Sequence, residues 1–473
     1  MNLIEWQYEC DVIQEDEFPG LVPFAPEVVY WNGKFYMYTS PHGRGHYVLE
    51  SVSPTGPFHK ITENLGHNID MSIFIDDDGK WYAYWADDRG IAGCQMKSPT
   101  EFGEEVLTGA YMDGWTEGPF VVKKGGKYHL SYTGNHYLSK GYRINTAISD
   151  NPLGKFRDNS CNPVVVCTEG EVTGLGHSST VMGPDLHTYY LIYHNMKSDL
   201  TRGLNIDAIT FDENRSYVLG PTTTERPVPA PPDWMDSAET EINDKWDVLR
   251  GKWCVKDGKK VSRGIACIVS KQALASQGIV EFHVAAIGDT RRYGIIFSEE
   301  KEIRIEIDSR DNTIYVLERK KIISKAVIPY DFVHEALHEV RIEYGDKMII
   351  YVDGLKRLEV LNNVKNPKIG YYGDGEIVIG STVFADTQKV VLTYPVQSIV
   401  PGGKDVVVDV RRAGYYVVCA SGCLKKGGKY IVVDGKKEYL SDEKGGVLLL
   451  RMYLESGTHK LEQKAINAEY VYV

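Results

Sequence analysis

Short segments in which aromatic and polar residues alternate recur through the first half of the chain. Each follows a turn that contains Gly or Asp, at Asn32-Gly33, Asp78-Gly79, Gly125-Gly126 and Asp185. A period of two residues is typical of half-buried β-strands, and a turn before it is typical of a hairpin. Gly33 and Gly79 are 46 residues apart, and Gly79 and Gly126 are 47 apart. A period in the mid-forties with several short strands per unit predicts a β-propeller.

The repeats also predict where chemistry gathers. Counting back 11 residues from the first position of each aromatic strand gives Phe24, Asp70, Glu117 and His177. These positions begin the innermost strand of each blade, so we expect them to meet around the propeller axis. Two carboxylates in one cavity favour acid–base chemistry, although strand-end caps or calcium ligands would also explain the pair.

The remainder of the chain predicts two more β-domains. Five prolines lie between Pro221 and Pro232, which is typical of a stiff, extended linker. Strands with period-two alternation then follow at regular intervals, as in a β-sandwich, and a further strand pattern begins near Gln388. The chain is therefore predicted to be all-β, with a propeller over 1–225, a linker over 226–239, a jelly-roll sandwich over 240–386 and a small β-sandwich over 387–473.

Composition and charge narrow the function. The 31 tyrosines and the many glycines and prolines fit an all-β chain. Lys plus Arg number 53 against 65 Asp plus Glu, and a deficit of basic residues argues against a nucleic-acid or anionic-membrane partner. No apolar run approaches the roughly 20 residues of a membrane helix, and Met1 to Cys10 lack the features of a secretory signal. The sequence as given predicts a cytoplasmic protein, or a secreted one if the true start is missing.

Four ordered motifs resemble those of glycoside hydrolase family 43. They begin FAPEV at Phe24, NIDMS at Asn68, TEGPF at Thr116 and GHSST at Gly176. The segment that starts at Arg202 is similar to the closing strands of that family, so the resemblance covers residues 1 to about 225. It implies a five-bladed β-propeller and inverting hydrolysis of arabinofuranosides, xylosides and sometimes galactosides.

The resemblance implies a division of labour between two carboxylates. Glu117 matches the general acid, and Asp70 matches the carboxylate that orients the acid and keeps it protonated. The physics agrees, because a carboxylate in a narrow cavity disfavours ionisation of its neighbour. An inverting enzyme also needs a base on the opposite face of the sugar, roughly 6.5–9.5 Å away.

The expected base is missing from its usual place. In the family it is an Asp of the first blade, usually followed by Pro, and residues 1–23 contain no Asp-Pro pair. The chain opens as if at the last strand of that blade, so the propeller is predicted to be incomplete at its N-terminus. Glu27 lies three residues past Phe24, an odd offset that points to the opposite face of a strand. We therefore expect a structural role for Glu27, and Asp11 and Asp16 are weaker candidates for the base.

Further site residues are implied by the same resemblance. His177 matches the histidine that faces a metal ion or water cluster at the axis, which suggests one calcium ion, although a satisfied core histidine is an equal alternative. Arg202 matches an arginine that reaches sugar hydroxyls, or is an ordinary exposed arginine. Phe24 and Trp115 are candidate stacking platforms for a sugar ring, or ordinary core aromatics.

The two later domains resemble accessory modules. Residues 240–386 are similar to the laminin-G/concanavalin-like jelly roll, and residues 387–473 weakly resemble carbohydrate-binding modules of families 6 and 35. Either sugar binding or covering of the propeller would explain the jelly roll.

The sequence thus predicts an inverting, exo-acting glycoside hydrolase. Its partners would be oligosaccharides or polysaccharides of plant origin that carry arabinofuranosyl or xylosyl groups. A non-catalytic carbohydrate-binding protein on a degenerate propeller is the alternative, since the general base is not found. A mannoside phosphorylase would need a phosphate-binding cluster at the axis, and His177 with Arg202 is too small a set.

Overall fold

The chain folds almost entirely into antiparallel β-sheets. The computed structural model describes residues 3, 5–13, 22–211, 215–218, 220–222, 229, 231–298, 301–387, 405–410, 414–424, 430–443, 447–462, 464 and 466–472. No helix within these ranges has the length and apolar character needed to cross a bilayer.

The first four sheets have their strands in sequence order, as propeller blades do. The first blade contains β1 Pro23–Trp31, β2 Lys34–Pro41, β3 Tyr47–Ser51 and β4 His59–Lys60. The second contains β5 Ile69–Ile75, β6 Trp81–Asp87, β7 Gly90–Ser98 and β8 Glu101–Phe102, and β9 Val106–Leu107 pairs with β7. The third contains β10 Thr116–Lys124, β11 Lys127–Gly134, β12 Arg143–Ser149 and β13 Arg157–Asp158. The fourth contains β14 Thr173–Met182, β15 Tyr189–Met196, β16 Arg202–Phe211 and β17 Ser216–Val218. The prediction of propeller blades at the start of an all-β chain is confirmed.

Tyrosines at equivalent positions in the second strands of two blades join successive blades. Tyr38 of β2 donates to the carbonyl of Pro99 at 2.7 Å, and Tyr84 of β6 donates to the carbonyl of Pro152 at 2.6 Å. Both rings are fully buried, so each supplies apolar area and still satisfies its hydroxyl. The accepting prolines lie in the closing turn of the next blade, which fixes the angle between blades.

The innermost strands β1, β5, β10 and β14 lie side by side in that order. Each has a β-bulge near its start, after Phe24, Ile69, Glu117 and Gly176. The next residue in each strand has a positive φ: 44° at Ala25, 63° at Asp70, 59° at Gly118 and 46° at His177. Asp70 and His177 are therefore equivalent to Ala25 and Gly118, and the predicted common phase of Asp70 and Glu117 is wrong by one residue.

The second domain is one curled sheet around a single core. Its strands are β18 Trp234–Asp236, β19 Trp246–Lys256, β20 Lys259–Ser270, β21 Gly278–Ile287, β22 Arg292–Ser298, β23 Ile303–Asp308, β24 Thr313–Glu318, β25 Lys321–Val327, β26 His338–Tyr344, β27 Lys347–Val352, β28 Leu355–Leu361, β29 Gly370–Gly373 and β30 Glu376–Ala385, with the short helix α1 Ile242–Lys245 before β19. The main path runs β25-β24-β23-β22-β29-β20-β30-β21-β26-β27-β28. Its two edge strands, β25 and β28, contact each other, so the sheet closes over buried side chains such as Trp246, Phe282 and Tyr371.

The second domain corrects the predicted linker over 226–239. Residues 234–236 form β18, which pairs with Thr382–Phe384 of β30, so the end of that linker is part of the sandwich. Residues 226–228 and 230 lie outside the described residues. Prolines and charged residues before Trp234 suggested a linker, but the burial of Trp234 and Asp236 decides the local structure.

The last described strands form two four-stranded sheets. They are β31 Val406–Val410, β32 Gly414–Leu424, β33 Tyr430–Val433, β34 Lys436–Tyr439, β35 Ser441–Glu443, β36 Val447–Leu454, β37 Gly457–Glu462 and β38 Ile466–Tyr472. One sheet has the order β31-β37-β33-β34 and the other β35-β36-β32-β38. Residues 388–404, where this pattern was predicted to begin, lie outside the described residues.

The sandwich docks on the turn of the first blade. Asn32 donates from Nδ2 to the carbonyl of Asp331 at 2.7 Å, and its Oδ1 accepts from the main-chain N–H of Val333 at 2.8 Å. Tyr30 donates its hydroxyl to the carbonyl of Leu337 at 2.8 Å. The hairpin turns of the blades therefore face the sandwich, and the bulged ends of the inner strands lie at the opposite end of the propeller.

Candidate active site

Asp70 is buried at the bulged start of β5. Its Oδ2 accepts a hydrogen bond from the main-chain N–H of Gly118 at 3.0 Å, and His177 Nδ1 lies 3.5 Å from the same oxygen. Burial raises the pKa of Asp70, and the charge of Glu117 raises it further. His177, the Gly118 N–H and Arg202 oppose this rise. Asp70 and the Glu117-Gly118 segment are thus neighbours across two blades.

Both carboxylate oxygens of Glu117 are held by neutral donors. Trp115 donates its indole N–H to Oε2, and Tyr142 donates its hydroxyl to Oε1. The Tyr142 ring is 1% exposed, and burial together with the adjacent Glu117 charge raises the pKa of its hydroxyl well above the usual range. Each donor occupies one lone pair of its oxygen, which leaves the other lone pairs free to carry a proton.

Two glycines make room for this arrangement. A Cβ on Gly118 would lie 3.2 Å from His177 Cα, and the residue has a φ of 59°. A Cβ on Gly176 would lie 2.1 Å from Tyr142 Cε1. Gly176 therefore allows the tyrosine to reach Glu117, and Gly118 allows the third and fourth blades to meet beside Asp70.

His177 and Arg202 border the acid pair. The main-chain N–H of His177 bonds Thr133 Oγ1 at 2.9 Å, and its imidazole is about one-third exposed. Arg202 is exposed at the first position of β16, and its charge acts on Asp70 and on His194. Its predicted contact with sugar hydroxyls stays a prediction.

The calcium ion predicted at the axis receives little support from the donor set. Calcium binds six to eight oxygen ligands, and within the described ranges no three His, Cys, Asp or Glu side chains converge as a metal site. Asp70 with His177 supplies too few protein ligands. The metal role of His177 stays a prediction, and no catalytic step is assigned to a metal.

The two predicted stacking platforms have different surroundings. Phe24 is 45% exposed at the start of β1, and its carbonyl accepts from Thr39 Oγ1 at 2.9 Å. Trp115 is half-buried and its indole N–H is used by Glu117. Phe24 therefore has a free ring face toward solvent, whereas Trp115 also orients the candidate acid.

Among the described residues, no hydrogen bond or ion pair joins Glu27 or Asp11 to Asp70 or Glu117. Glu27 Oε1 accepts from the hydroxyl of Ser72 at 3.1 Å and from the main-chain N–H of Ile73 at 2.8 Å, so it ties the first blade to the second. Burial raises the pKa of Glu27 to about 7, against the effect of these two hydrogen bonds. Asp11 is exposed and accepts from Tyr8 at 2.9 Å, and Asp16 lies outside the described residues.

Three residues of the site escaped the sequence reasoning. Tyr142 lies in the β11–β12 connection and has no counterpart in the repeat. His194 stacks on Tyr142 with ring centroids 5.7 Å apart, and burial together with the nearby Arg202 charge lowers its pKa to about 3. His46 Nε2 accepts from the main-chain N–H of Met71 at 3.1 Å and thereby supports the bulge at Asp70. Only His46 carries a local signal, as a histidine in a Gly-rich turn beside a strand.

Comparisons with known proteins agree with this geometry. Residues 2–216 match the family model for glycosyl hydrolases family 43. A beta-D-galactofuranosidase, xynD, of Aspergillus niger is 28% identical over 178 residues, which are 34% of this chain and 49% of the relative. A xylosidase/arabinosidase of Butyrivibrio fibrisolvens is 30% identical over 129 residues, 23% of this chain and 24% of the relative. The matches thus span about half and about a quarter of these relatives.

Solved structures of similar proteins include a thermostable family-43 glycoside hydrolase, with 29% identity, 48% of this chain and 86% of that chain covered, and a TM-score of 0.44. An alpha-L-arabinofuranosidase from Clostridium thermocellum has 23% identity, 46% and 80% coverage, and a TM-score of 0.38. Residues 2–216, which include Asp70 and Glu117, are thus similar to glycosyl hydrolases family 43 over their whole length.

Proposed function

We propose that this protein removes terminal arabinofuranosyl or xylosyl groups from plant polysaccharide fragments, with inversion at the anomeric carbon. The observation that carries the proposal is the hydrogen bond between Gly118 N–H and Asp70 Oδ2, which joins the Glu117 segment to a second, buried carboxylate. Glu117 and Asp70 lie at the bulged ends of adjacent inner strands. Glu117 would be the general acid, and Asp70 the carboxyl group that positions it.

In the proposed reaction, Glu117 transfers its proton to the glycosidic oxygen as the bond to the anomeric carbon breaks. Water attacks that carbon from the opposite face and loses its proton to a base. Trp115 and Tyr142 hold the Glu117 carboxyl in one orientation, and Asp70 holds the main chain that follows Glu117 through the Gly118 N–H. No described residue is assigned as the base.

The proposed class of sugar is supported by the names of the relatives and by two side chains near the site. The relatives are named for galactofuranosyl, xylosyl and arabinosyl substrates, all of them neutral sugars. The exposed ring of Phe24 and the guanidinium of Arg202 would supply a stacking face and hydroxyl-binding donors.

Turnover by a Glu117→Gln variant tests the proposal. The substrates are the nitrophenyl glycosides of α-L-arabinofuranose, β-D-xylose and β-D-galactofuranose, and the matched control is Glu104→Gln, an exposed glutamate of the second blade. General acid catalysis contributes roughly 10²–10⁴-fold, so we expect a loss of that size for Glu117→Gln and none for the control. Equal turnover by the two variants would remove Glu117 from the mechanism.

Non-catalytic sugar binding is a second candidate, because Glu27, a candidate base, is engaged in hydrogen bonds to Ser72 and Ile73. Calorimetry with arabino- and xylo-oligosaccharides separates the two functions. Binding without release of reducing sugar supports the second candidate, and turnover by the wild-type protein excludes it.

A further inference from the structure

A large cleft lies between the propeller and the sandwich, away from the acid pair. Its volume is about 700 Å³, which exceeds what packing defects in a protein interior leave. One wall consists of the hairpin turns that follow the innermost strands of the blades. The other wall is the face of the sandwich sheet that points away from the core of the sandwich. A cleft of this size falls within the range of small-molecule sites.

The sandwich wall is a regular grid of polar side chains. Along β26 the residues Glu339, Arg341 and Glu343 alternate with buried Val340 and Ile342, so the three polar side chains share one face. Across the sheet, Arg341 stands opposite Glu281 on one side and Tyr351 on the other, and Glu339 stands opposite His283. Strand pairing therefore places an arginine, three carboxyl groups and an aromatic ring on one surface.

The propeller wall is formed by turns of three blades. Tyr189 of the fourth blade lines the cleft, and Lys124 Nζ lies 4.9 Å from the centre of its ring. Met182 of the same blade accepts from Arg341 Nη1 at 3.4 Å, so the two walls are in contact at the edge of the cleft. Aromatic rings therefore face the cleft from both domains.

The charges in the cleft are mostly paired with one another. Arg341 contacts Glu281 at 3.1 Å and Glu343 at 2.9 Å, and Lys123 bonds Asp77 at 2.8 Å. The side chains in these ion pairs still have free lone pairs and N–H groups that can bond a neutral ligand. Because their charges balance, they attract an ionic ligand only weakly. No group of three His or acidic residues in the described part of the chain could hold a metal.

Glu339 differs from these paired groups. None of the hydrogen bonds or ion pairs found among the described residues involves its carboxyl group. Burial and the nearby Glu281 charge raise its pKa to about 8, against the effect of Arg341. Near neutral pH the group is mostly a carboxylic acid, which can both donate and accept a hydrogen bond. A sugar hydroxyl also both donates and accepts, so the two groups are complementary hydrogen-bond partners.

We propose that the cleft between the propeller and the sandwich is a second carbohydrate site, which binds a short, neutral oligosaccharide through Glu339, the Arg341 network and the rings of Tyr189 and Tyr351. The choice of plant oligosaccharides as its ligand rests on the proposed function. The site is separate from the acid pair, since β10 runs from Glu117 to Lys124, about 23 Å at roughly 3.3 Å per residue. A second site at this distance would hold a chain on the enzyme between hydrolytic events and raise its effective concentration.

Calorimetry on the full chain carrying Glu117→Gln tests the site, because turnover of the probes by this variant is expected to be roughly 10²–10⁴-fold slower than by the wild type. The probes are xylotetraose and arabinotetraose. We expect two sites per molecule in this parent and one site when Glu339→Ala is added, with affinity at the cleft at least tenfold weaker. Glu339→Gln should restore binding, since an amide also donates and accepts. Glu376→Ala, an exposed glutamate on β30 of the same domain, is the matched control and should retain both sites.

The outcomes distinguish the second site from the proposed function. A single site in the parent that survives Glu339→Ala overturns the second site and leaves the proposed function intact. Two sites unaffected by Glu339→Ala, or no binding of either probe, also overturn it. A single site that Glu339→Ala removes supports the cleft and counts against sugar binding at the acid pair. In the protein that retains Glu117, Glu339→Ala should turn over a nitrophenyl glycoside as fast as the wild type does. A substrate of this size bound at the acid pair is too short to extend into the cleft.

Discussion

The main-chain N–H of Gly118 donates a hydrogen bond to Asp70 Oδ2 over 3.0 Å. Gly118 directly follows Glu117, so the contact fixes the backbone of the candidate acid against the neighbouring blade. Both partners have positive φ values, 63° at Asp70 and 59° at Gly118. Because L-residues with side chains rarely adopt this conformation, the strained bulge at Asp70 points to a requirement of the site.

Asp70→Asn should separate the charge of Asp70 from its structural contact. The amide oxygen of Asn can still accept from Gly118, but the carboxyl group beside Glu117 is replaced by a group that cannot ionise. We expect kcat to fall at least about tenfold, and at most by the roughly 10²–10⁴-fold that general acid catalysis contributes. The measurement is kcat and kcat/KM from pH 4 to 9. An unchanged profile with unchanged kcat would contradict the role of Asp70.

Tyr142→Phe should lower kcat through the orientation of the candidate acid. The hydroxyl of Tyr142 donates to Glu117 Oε1. In the variant the carboxyl loses one of its two orienting contacts, and we expect kcat to fall roughly tenfold at the optimum with KM little changed, as for a group that acts in the transition state. A rise in KM alone would instead place Tyr142 in substrate binding. Tyr84→Phe, which removes an equally buried hydroxyl that joins the second and third blades away from Glu117, controls for general loosening of the propeller.

Much of the fold follows from the period of the sequence. Alternating aromatics after Gly33, Gly79 and Gly126 predicted three hairpins, and β2, β6 and β11 begin within two residues of these turns. The end of the predicted linker was wrong, because the pairing of Trp234 with Phe384 is a contact between residues far apart in sequence. Local composition around the prolines carries no information about such a partner.

The sequence predicted that Asp70 and Glu117 are close together, but the register on which this prediction was based is wrong by one residue. Asp70 and Glu117 were grouped by a shared offset of 11 residues, but the turn between the paired residues Ile75 and Trp81 is one residue longer than that between Lys123 and Tyr128, which puts Asp70 one position later than Glu117 in the register. Asp70 still lies beside the Glu117 segment, since it accepts from the Gly118 N–H and its pKa responds to the charge of Glu117. Tyr142 could not be found in this way, because it lies in the β11–β12 connection, outside the strand pattern that repeats, and 25 residues after Glu117.

Glu27 should make the stability of the protein depend on pH. The pKa of its carboxyl is about 7 in the folded chain against an ordinary value of 4.5, so between these values the native state keeps a proton that the unfolded chain loses. The contribution of Glu27 is fully present below pH 4.5 and is lost as the pH rises through 7. Over that window the change amounts to about 3 kcal/mol.

Glu27→Gln should remove this dependence, because the amide oxygen can still accept from Ser72 and Ile73 but does not titrate. We expect urea unfolding midpoints of the wild type to fall from pH 5 to pH 8 relative to those of the variant, with the variant at least as stable at pH 8. Glu104→Gln, at an exposed site, should follow the wild type at every pH. Parallel curves for wild type and Glu27→Gln would contradict the buried, protonated state of Glu27.

Asp236→Ala should destabilise the sandwich strongly, although the residue lies in the segment predicted as a linker. Asp236 Oδ2 accepts from Lys260 Nζ at 2.9 Å and from Trp246 Nε1 at 2.7 Å, and the side chains of both Asp236 and Lys260 are 0% exposed. Removing one partner leaves a buried ammonium without its counter-charge, which costs about 3–5 kcal/mol. The comparison is Asp78→Ala, which breaks the ion pair between Asp78 and Lys80 at the surface and should cost no more than about 1 kcal/mol. Thermal unfolding followed by circular dichroism gives both values, and equal midpoints for the two variants would show that β18 is not an integral strand of the second domain.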